Sequence, residues 1–218
     1  DYGRVIKIPN NNMDFAIASA LPIALATMHN AIVTIGNFSK GQTILIQGAS
    51  SGVGLMGLQI AKHLGAKLVI GTSTKPEKFD KLKSIGADLV VNSKDKDWVD
   101  QVLQATNNEG VDLIIDQLSG YTINENMRAS KVKGTIVNVG RLAGGNTEFN
   151  CDLHALRRIN YHGVTFRTRS VNEIRDVYSK MWSDLGDLVV KGKLSLPIEK
   201  IFKFDDVVKS ISEKLIRR

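Results

Sequence analysis

Residues Gly48, Ala49, Ser50, Ser51, Gly52, Val53 and Gly54 form the part of this sequence best suited to chemistry. They follow a short apolar run, residues 43–47, and open a helical pattern that continues to about residue 64. Small residues let a backbone turn sharply and approach a pyrophosphate closely. The free N–H groups and dipole of the helix that follows then stabilise its negative charge. Gly54 would also let the helix pack tightly on the strand. The strand–turn–helix context, rather than the glycines alone, makes a dinucleotide the expected ligand.

The second strand decides which dinucleotide. NAD-preferring folds place an Asp or Glu roughly 20 residues beyond the turn, where it accepts hydrogen bonds from the ribose 2′-hydroxyl. Here that place is taken by Ser73, followed by Lys75, Glu77 and Lys78. A carboxylate would repel a 2′-phosphate, whereas a hydroxyl and a lysine bind one. Ser73 with Lys75 or Lys78 therefore points to NADPH. Glu77 is the acid that would reach the ribose in a differently shaped loop, and both lysines also suit the exposed first turn of the next helix.

The elements that hold these residues alternate along the chain. Apolar runs at 43–47, 67–71, 88–91, 111–115 and 135–139 read as strands buried on both faces, with a sixth near 163–166. Helical patterns lie between them at 52–64, 76–85, 98–106 and 121–130. Such alternation implies right-handed crossovers and a parallel sheet, an α/β Rossmann doubly wound fold of six strands. A long helix is expected at about 19–36. A helix at 171–190, a strand at 198–204 and a helix at 205–217 follow the Rossmann part. The division is 1–18, a remnant of a second domain; 19–168, the dinucleotide domain; and 169–218, a helix–strand–helix tail.

Composition narrows the function classes. The chain has 218 residues, 43% of them apolar, a formal charge of +7 and a single cysteine, Cys151, in an expected loop. One cysteine excludes an internal disulfide or a CxxC zinc site and favours a reducing, cytoplasmic setting. His29, His63, His154 and His162 show no metal spacing, so no metal is expected. The longest apolar stretch, 16–33, is interrupted by Pro22, His29 and Asn30 and reads as a buried helix, not a membrane span. Lysines and arginines are interspersed with acids, without an aromatic-interleaved basic block, so nucleic acid is not the expected partner. The start, from Asp1, has no signal-peptide pattern and reads as an internal start.

The turn also resembles that of short-chain dehydrogenases, whose chemistry needs a Tyr with a Lys four residues later. At that spacing Tyr2, Tyr121, Tyr161 and Tyr178 are followed by Ile6, Glu125, Thr165 and Trp182. The chain as a whole instead resembles the medium-chain dehydrogenase/reductase superfamily, in its zinc-free quinone oxidoreductase branch. The resemblance rests on residues 20–27, 48–54, 59–66, 85–88, 111–120, 134–140, 192–194 and 198–204. It implies hydride transfer from NADPH to a quinone or an α,β-unsaturated carbonyl (an enone), without metal. It places Ser73 and Lys78 at the 2′-phosphate, Thr27, Gly140 and Arg141 near the nicotinamide, and Phe166 close by. Ser51 stands where the branch often has glycine, adding a hydroxyl for phosphate, and Ser93 where many members carry Tyr. Relatives begin with a GroES-like catalytic domain, of which only a last strand around Arg4 to Pro9 is expected here. They also dimerise through their sixth strands, which implies a homodimer. No catalytic residue is assigned. The alternatives are an NADPH-binding module without turnover and an enoyl-thioester reductase.

Overall fold

The computed structural model describes residues 2–8 and 13–216, with side chains up to residue 212. Six strands, β1 (Thr43–Ile46), β2 (Leu68–Thr72), β3 (Leu89–Val91), β4 (Val111–Asp116), β5 (Ser130–Asn138) and β6 (Asn160–Gly163), form one sheet in the order β3-β2-β1-β4-β5-β6. Every neighbouring pair is parallel. This is the doubly wound Rossmann order, in which the chain reverses direction across the sheet between β1 and β4. The helices are α1 (Phe15–His29), α2 (Gly52–His63), α3 (Phe79–Ile85), α4 (Trp98–Ala105), α5 (Ile123–Ala129), α6 (Cys151–Arg157), α7 (Val171–Val190) and α8 (Val207–Ile216).

The period-2 alternation of a strand explains the two-sided core. On β1, Ile44 and Ile46 join the cluster made with Met28 of α1, Met56 of α2 and Met181 of α7. Leu45, between them, faces the opposite layer with Trp98 and Val102 of α4 and Met127 of α5. All three β1 residues are fully buried. A strand covered on both faces needs this unbroken apolar run, which is why it was legible without alternation.

Helix α1 begins at Phe15, where Asp14 caps it by accepting from the N–H of Ala16 at 2.7 Å, four residues earlier than expected. A wider, π-type turn over Asn30–Ile35 continues it. The span Phe15–Ile35 is long and apolar enough to cross a membrane, but here it packs as a core helix. Leu25, Met28 and Ile32 are buried in the cluster with α2 and α7. His29 is buried too, and its Nε2 lies 2.7 Å from Oδ2 of the half-exposed Asp184 on α7. The other ring nitrogen, Nδ1, has no partner among the described residues, so this one bond carries the polar demand of the ring.

Four expectations need correction. The sixth strand is Asn160–Gly163, three residues earlier than the apolar run at 163–166. Val164 donates to the carbonyl of Asn138 at 3.0 Å and then turns inward, so Val164 and Phe166 are apolar because they join the core, not because they are sheet. The segment 198–204 is not a strand: 198–203 are irregular, Phe204 opens a 3-10 turn, and Ile201 and Phe204 are largely exposed. The start is not a strand either: Tyr2–Arg4 make a single 3-10 turn and 5–8 are irregular, while Pro9 lies outside the described residues. Cys151 is not in a loop but opens α6, whose N-cap Asn150 accepts from the N–H of Leu153 at 2.8 Å.

Replacing Asp184 with Ala leaves the buried imidazole of His29 unpaired. Loss of a partner to a buried polar group costs about 1–3 kcal/mol. A urea melt of Asp184→Ala is expected to show a lower midpoint by that free energy. An unchanged midpoint would show that the α1–α7 bond contributes nothing.

Candidate functional site

The turn after β1 is built by close approach. Gly48 has φ of +67°, a left-handed conformation that suits glycine, and its N–H donates to Oγ1 of Thr72 at 2.9 Å. Ala49 donates to the carbonyl of Thr72 at 2.9 Å, tying the turn to the end of β2. At Gly54, a Cβ would lie 2.6 Å from the carbonyl oxygen of Gly48 and 2.7 Å from Cα of Ala49. No side chain fits there, so the first turn of α2 sits directly on the backbone of the glycine turn. Gly52 is the opposite case: a Cβ there would meet nothing within 4 Å. The protein itself makes no steric demand at Gly52, and its surface opens outward.

Ser51 caps α2. Its Oγ accepts from the N–H of Gly54 at 3.0 Å and lies 3.0 Å from both the Gly48 carbonyl and Oε1 of Gln117. The hydroxyl expected to serve a phosphate is therefore engaged inside the turn, because a helix N-terminus needs a cap. The N–H groups of Gly52 and Val53 have no acceptor among the described residues. These are the unpaired donors that a helix leaves at its N-terminus, and they carry the positive end of its dipole. A diphosphate fits such a backbone cradle.

Ser73 is buried at the end of β2, its N–H donating to the carbonyl of Val91 at 3.1 Å and its Oγ accepting from the N–H of Lys75 at 3.2 Å. Ser93, just past β3, is also buried, and its Oγ has no partner among the described residues. Lys78 closes the single 3-10 turn Pro76–Lys78 and is half-buried, while Lys75 and Glu77 are exposed. Ser73, Ser93 and the turn thus occupy the C-terminal ends of adjacent strands, where open α/β sheets bind ligands.

The remaining expected residues meet in a second place. Thr27, Arg141 and Phe166 line one cleft of about 590 Å³, together with Asn30, Val139 and Thr165. Gly140, between the lining residues Val139 and Arg141, does not itself line it and lies so close to the carbonyl oxygen of Gln117 that a Cβ would sit 2.5 Å away. A separate hollow of about 350 Å³, lined by Thr43, Lys67, Glu109, Asp112 and Lys131, lies at the N-terminal edge of the strands, away from these groups.

A polar network joins the two parts; of its members the sequence points to Asp116, which ends a strand and is expected to make a structural hydrogen bond. Gln117 donates to the carbonyl of Gln47 at 2.9 Å, and Thr72 donates to Oε1 of Gln47 at 2.8 Å. Gln47 in turn donates to Oδ1 of Asn126 at 2.6 Å. Ser119 donates to the carbonyl of Gly140 at 2.9 Å and accepts from Asn138. Ser119 holds φ of +55°, an uncommon backbone for a non-glycine residue. Oδ1 of Asp116 secures it, accepting from the N–H groups of Leu118 at 2.8 Å and Ser119 at 2.9 Å. The signal that could have found this network is positional. Gln47, Thr72, Asp116 and Asn138 are polar residues at the C-terminal ends of otherwise apolar strands.

The family model described as zinc-binding dehydrogenase matches residues 52–185. The chain belongs to that family. It is thereby a member of the medium-chain dehydrogenase/reductase superfamily that its motifs resemble. Among the described residues no three His, Cys, Asp or Glu side chains are grouped to hold a metal. A low-reducing polyketide synthase, drtA, of Aspergillus calidoustus is 32% identical over 158 residues, covering 69% of this chain and 7% of that protein. Two solved structures share the fold at 24% identity. The CurK enoyl reductase has a TM-score of 0.80 over 96% of this chain and 61% of its own. A quinone oxidoreductase of Pseudomonas syringae pv. Tomato DC3000 has a TM-score of 0.82 over 98% of this chain and 65% of its own. The chain therefore spans less than two thirds of each relative named here.

In this family member, burial raises the pKa of the Asp116 carboxyl above its ordinary value, against the hydrogen bonds from Ser119 and Leu118 that lower it. Its Oδ2 is buried without a partner among the described residues. Between the ordinary carboxylate value and the raised one, the folded state holds a proton that the unfolded state has lost. Stability therefore falls as pH rises through that window. Asp116→Asn keeps an acceptor for the two N–H groups and removes the titration. Urea midpoints measured across that window are expected to slope less in the variant than in the parent, and equal slopes would refute the assignment.

Proposed function

We propose that this chain is the cofactor-binding part of an NADPH-dependent oxidoreductase that delivers hydride to an alkene or quinone conjugated with a carbonyl. The observation that carries the reading is the open cradle at Gly52. The N–H groups of Gly52 and Val53 have no acceptor among the described residues, and they lie at the switch point of the sheet, beside a β2 loop that begins with Ser73 instead of an acid. The turn would hold the diphosphate, while Ser73, Lys78 and Ser93 would hold the adenosine end with its 2′-phosphate. Thr27, Gly140, Arg141 and Phe166 would border the nicotinamide. Bound NADPH supplies the hydride. The chain's own residues orient the ring and shield it from water, which is most of what this chemistry asks of a protein. No side chain here is given a proton-transfer role.

A second reading concerns the substrate. The drtA relative is named a polyketide synthase and CurK is named an enoyl reductase, which favours an enoyl thioester as the conjugated alkene. The quinone oxidoreductase neighbour supports the quinone reading. Both share the same hydride step. An NADPH-binding module without turnover is the alternative, and NADPH oxidation with a panel of quinones and enoyl thioesters separates it from either.

Two variants test the cofactor assignment by titration. Gly52→Ala adds a methyl group where the protein has room, so the melting midpoint should hold while NADPH affinity falls about tenfold or more, equivalent to about 1.4 kcal/mol. Retained affinity would place the diphosphate elsewhere. The parent chain is expected to bind NADPH more tightly than NADH, and Lys78→Glu to narrow that preference by weakening NADPH alone. Equal loss for both coenzymes would remove Lys78 from the 2′-phosphate.

A further inference from the structure

Arg169 lies behind the nicotinamide-end cleft, between its wall and the N-cap of α7, Ser170. Its guanidinium sits 5.5 Å from the centroid of the Phe166 ring. Its Nε donates to the carbonyl of Thr165 at 3.1 Å, and its Nη2 to Oδ1 of Asn30 at 3.4 Å. Thr165, Phe166 and Asn30 all line the cleft, whereas Arg169 does not. Asn30 is buried and begins the wider turn that ends the long first helix, so it offers a fixed anchor.

A charge beside the helix start does not account for the hydrogen bonds and ring contact that this arginine makes. A cation beside a helix N-terminus faces the positive end of the dipole, which disfavours it. The hydrogen bonds of the first turn of α7 come from the capping box between Ser170 and Glu173, and Arg169 adds only a charge that favours the Glu173 carboxylate. The three hydrogen-bond and ring partners of Arg169 lie on two separate pieces of chain, the segment after β6 and the end of α1. A planar guanidinium can stack on a ring and donate in two directions at once, which a lysine ammonium cannot do with the same geometry.

We propose that Arg169 is a positioning residue. It pins the 165–168 segment against Asn30 and so sets the shape of the cleft that takes the nicotinamide end of the cofactor. The inference rests on the dinucleotide reading above. It adds a residue that touches no ligand and acts through Phe166, Thr165 and Asn30.

The test uses the full chain, with Arg169→Lys and Arg169→Met, and two ligands. NADPH reports on the whole cofactor, and emission from its dihydronicotinamide ring reports on the surroundings of that end. 2′,5′-ADP reports on the adenosine end alone. The expected result is that NADPH affinity falls about fivefold or more in both variants and the bound dihydronicotinamide emission moves toward that of free NADPH. Affinity for 2′,5′-ADP should stay within twofold of the parent. Arg169→Lys keeps the charge, so a folded variant is available even where Met destabilises the chain, and its failure to restore the emission is part of the expectation. Parent-like NADPH affinity and emission in Arg169→Lys would overturn the proposal. So would an equal loss of NADPH and 2′,5′-ADP, which would mark a general structural role. A parent chain that binds neither ligand would overturn the dinucleotide reading itself, an outcome separate from either of these.

Discussion

The contact between the first turn of α2 and the backbone of the glycine turn governs the arrangement of the whole site. Because Gly54 has no side chain, its Cα rests against Gly48 and Ala49, and α2 starts immediately at the end of β1. Any larger residue would push the helix away and carry its N–H groups off the sheet edge. The turn cannot hold this shape alone. Thr72 fixes it from β2, and Gln117 fixes it from the segment after β4, so the hydrogen bonds of three strand ends converge on one loop. In a buried setting such bonds count twice, once for being made and once for the penalty of leaving a donor unmade.

The same segment after β4 carries the constraint across the switch point. Asp116 holds Leu118 and Ser119, Ser119 bonds the carbonyl of Gly140, and Gly140 packs against Gln117. The glycine turn and the cleft beside Thr27 and Arg141 are thus two ends of one hydrogen-bonded strip. A buried carboxylate is an expensive element for this purpose, and burial raises its pKa accordingly. Its use beside a residue at positive φ is consistent with the general finding that strained backbone concentrates where a fold serves a ligand.

Two long helices frame the far side of the cleft. The long first helix delivers Thr27 and Asn30, and α7 packs against it through Met181, Leu185 and the His29–Asp184 bond. The segment between β6 and α7 is irregular, yet it carries Phe166, and Arg169 joins it to Asn30. Placement of Thr27 and Asn30 therefore depends on helix packing, whereas placement of the glycine turn depends on the sheet.

The amino-acid sequence alone determined the strand–turn–helix unit, the parallel order implied by alternating elements, and the missing acid after β2. Each is a local property: unbroken apolar runs, small residues at one turn, and a serine at one strand end. Helix Val171–Val190 was legible to the residue because its start is written in the adjacent Ser170 and Glu173. Only the tertiary structure decided the rest. The run 163–166 was apolar enough to pass for a strand, but sheet membership depends on a partner's backbone, and β5 pairs with the less apolar 160–163 instead. Segment 198–204 had the composition of a strand but pairs with none of the six strands of the sheet. Whether the Ser51 hydroxyl faces a ligand or caps a helix, and which residues brace the cleft from behind, are set by contacts between segments distant in the chain. Residue type and spacing do not encode those distances.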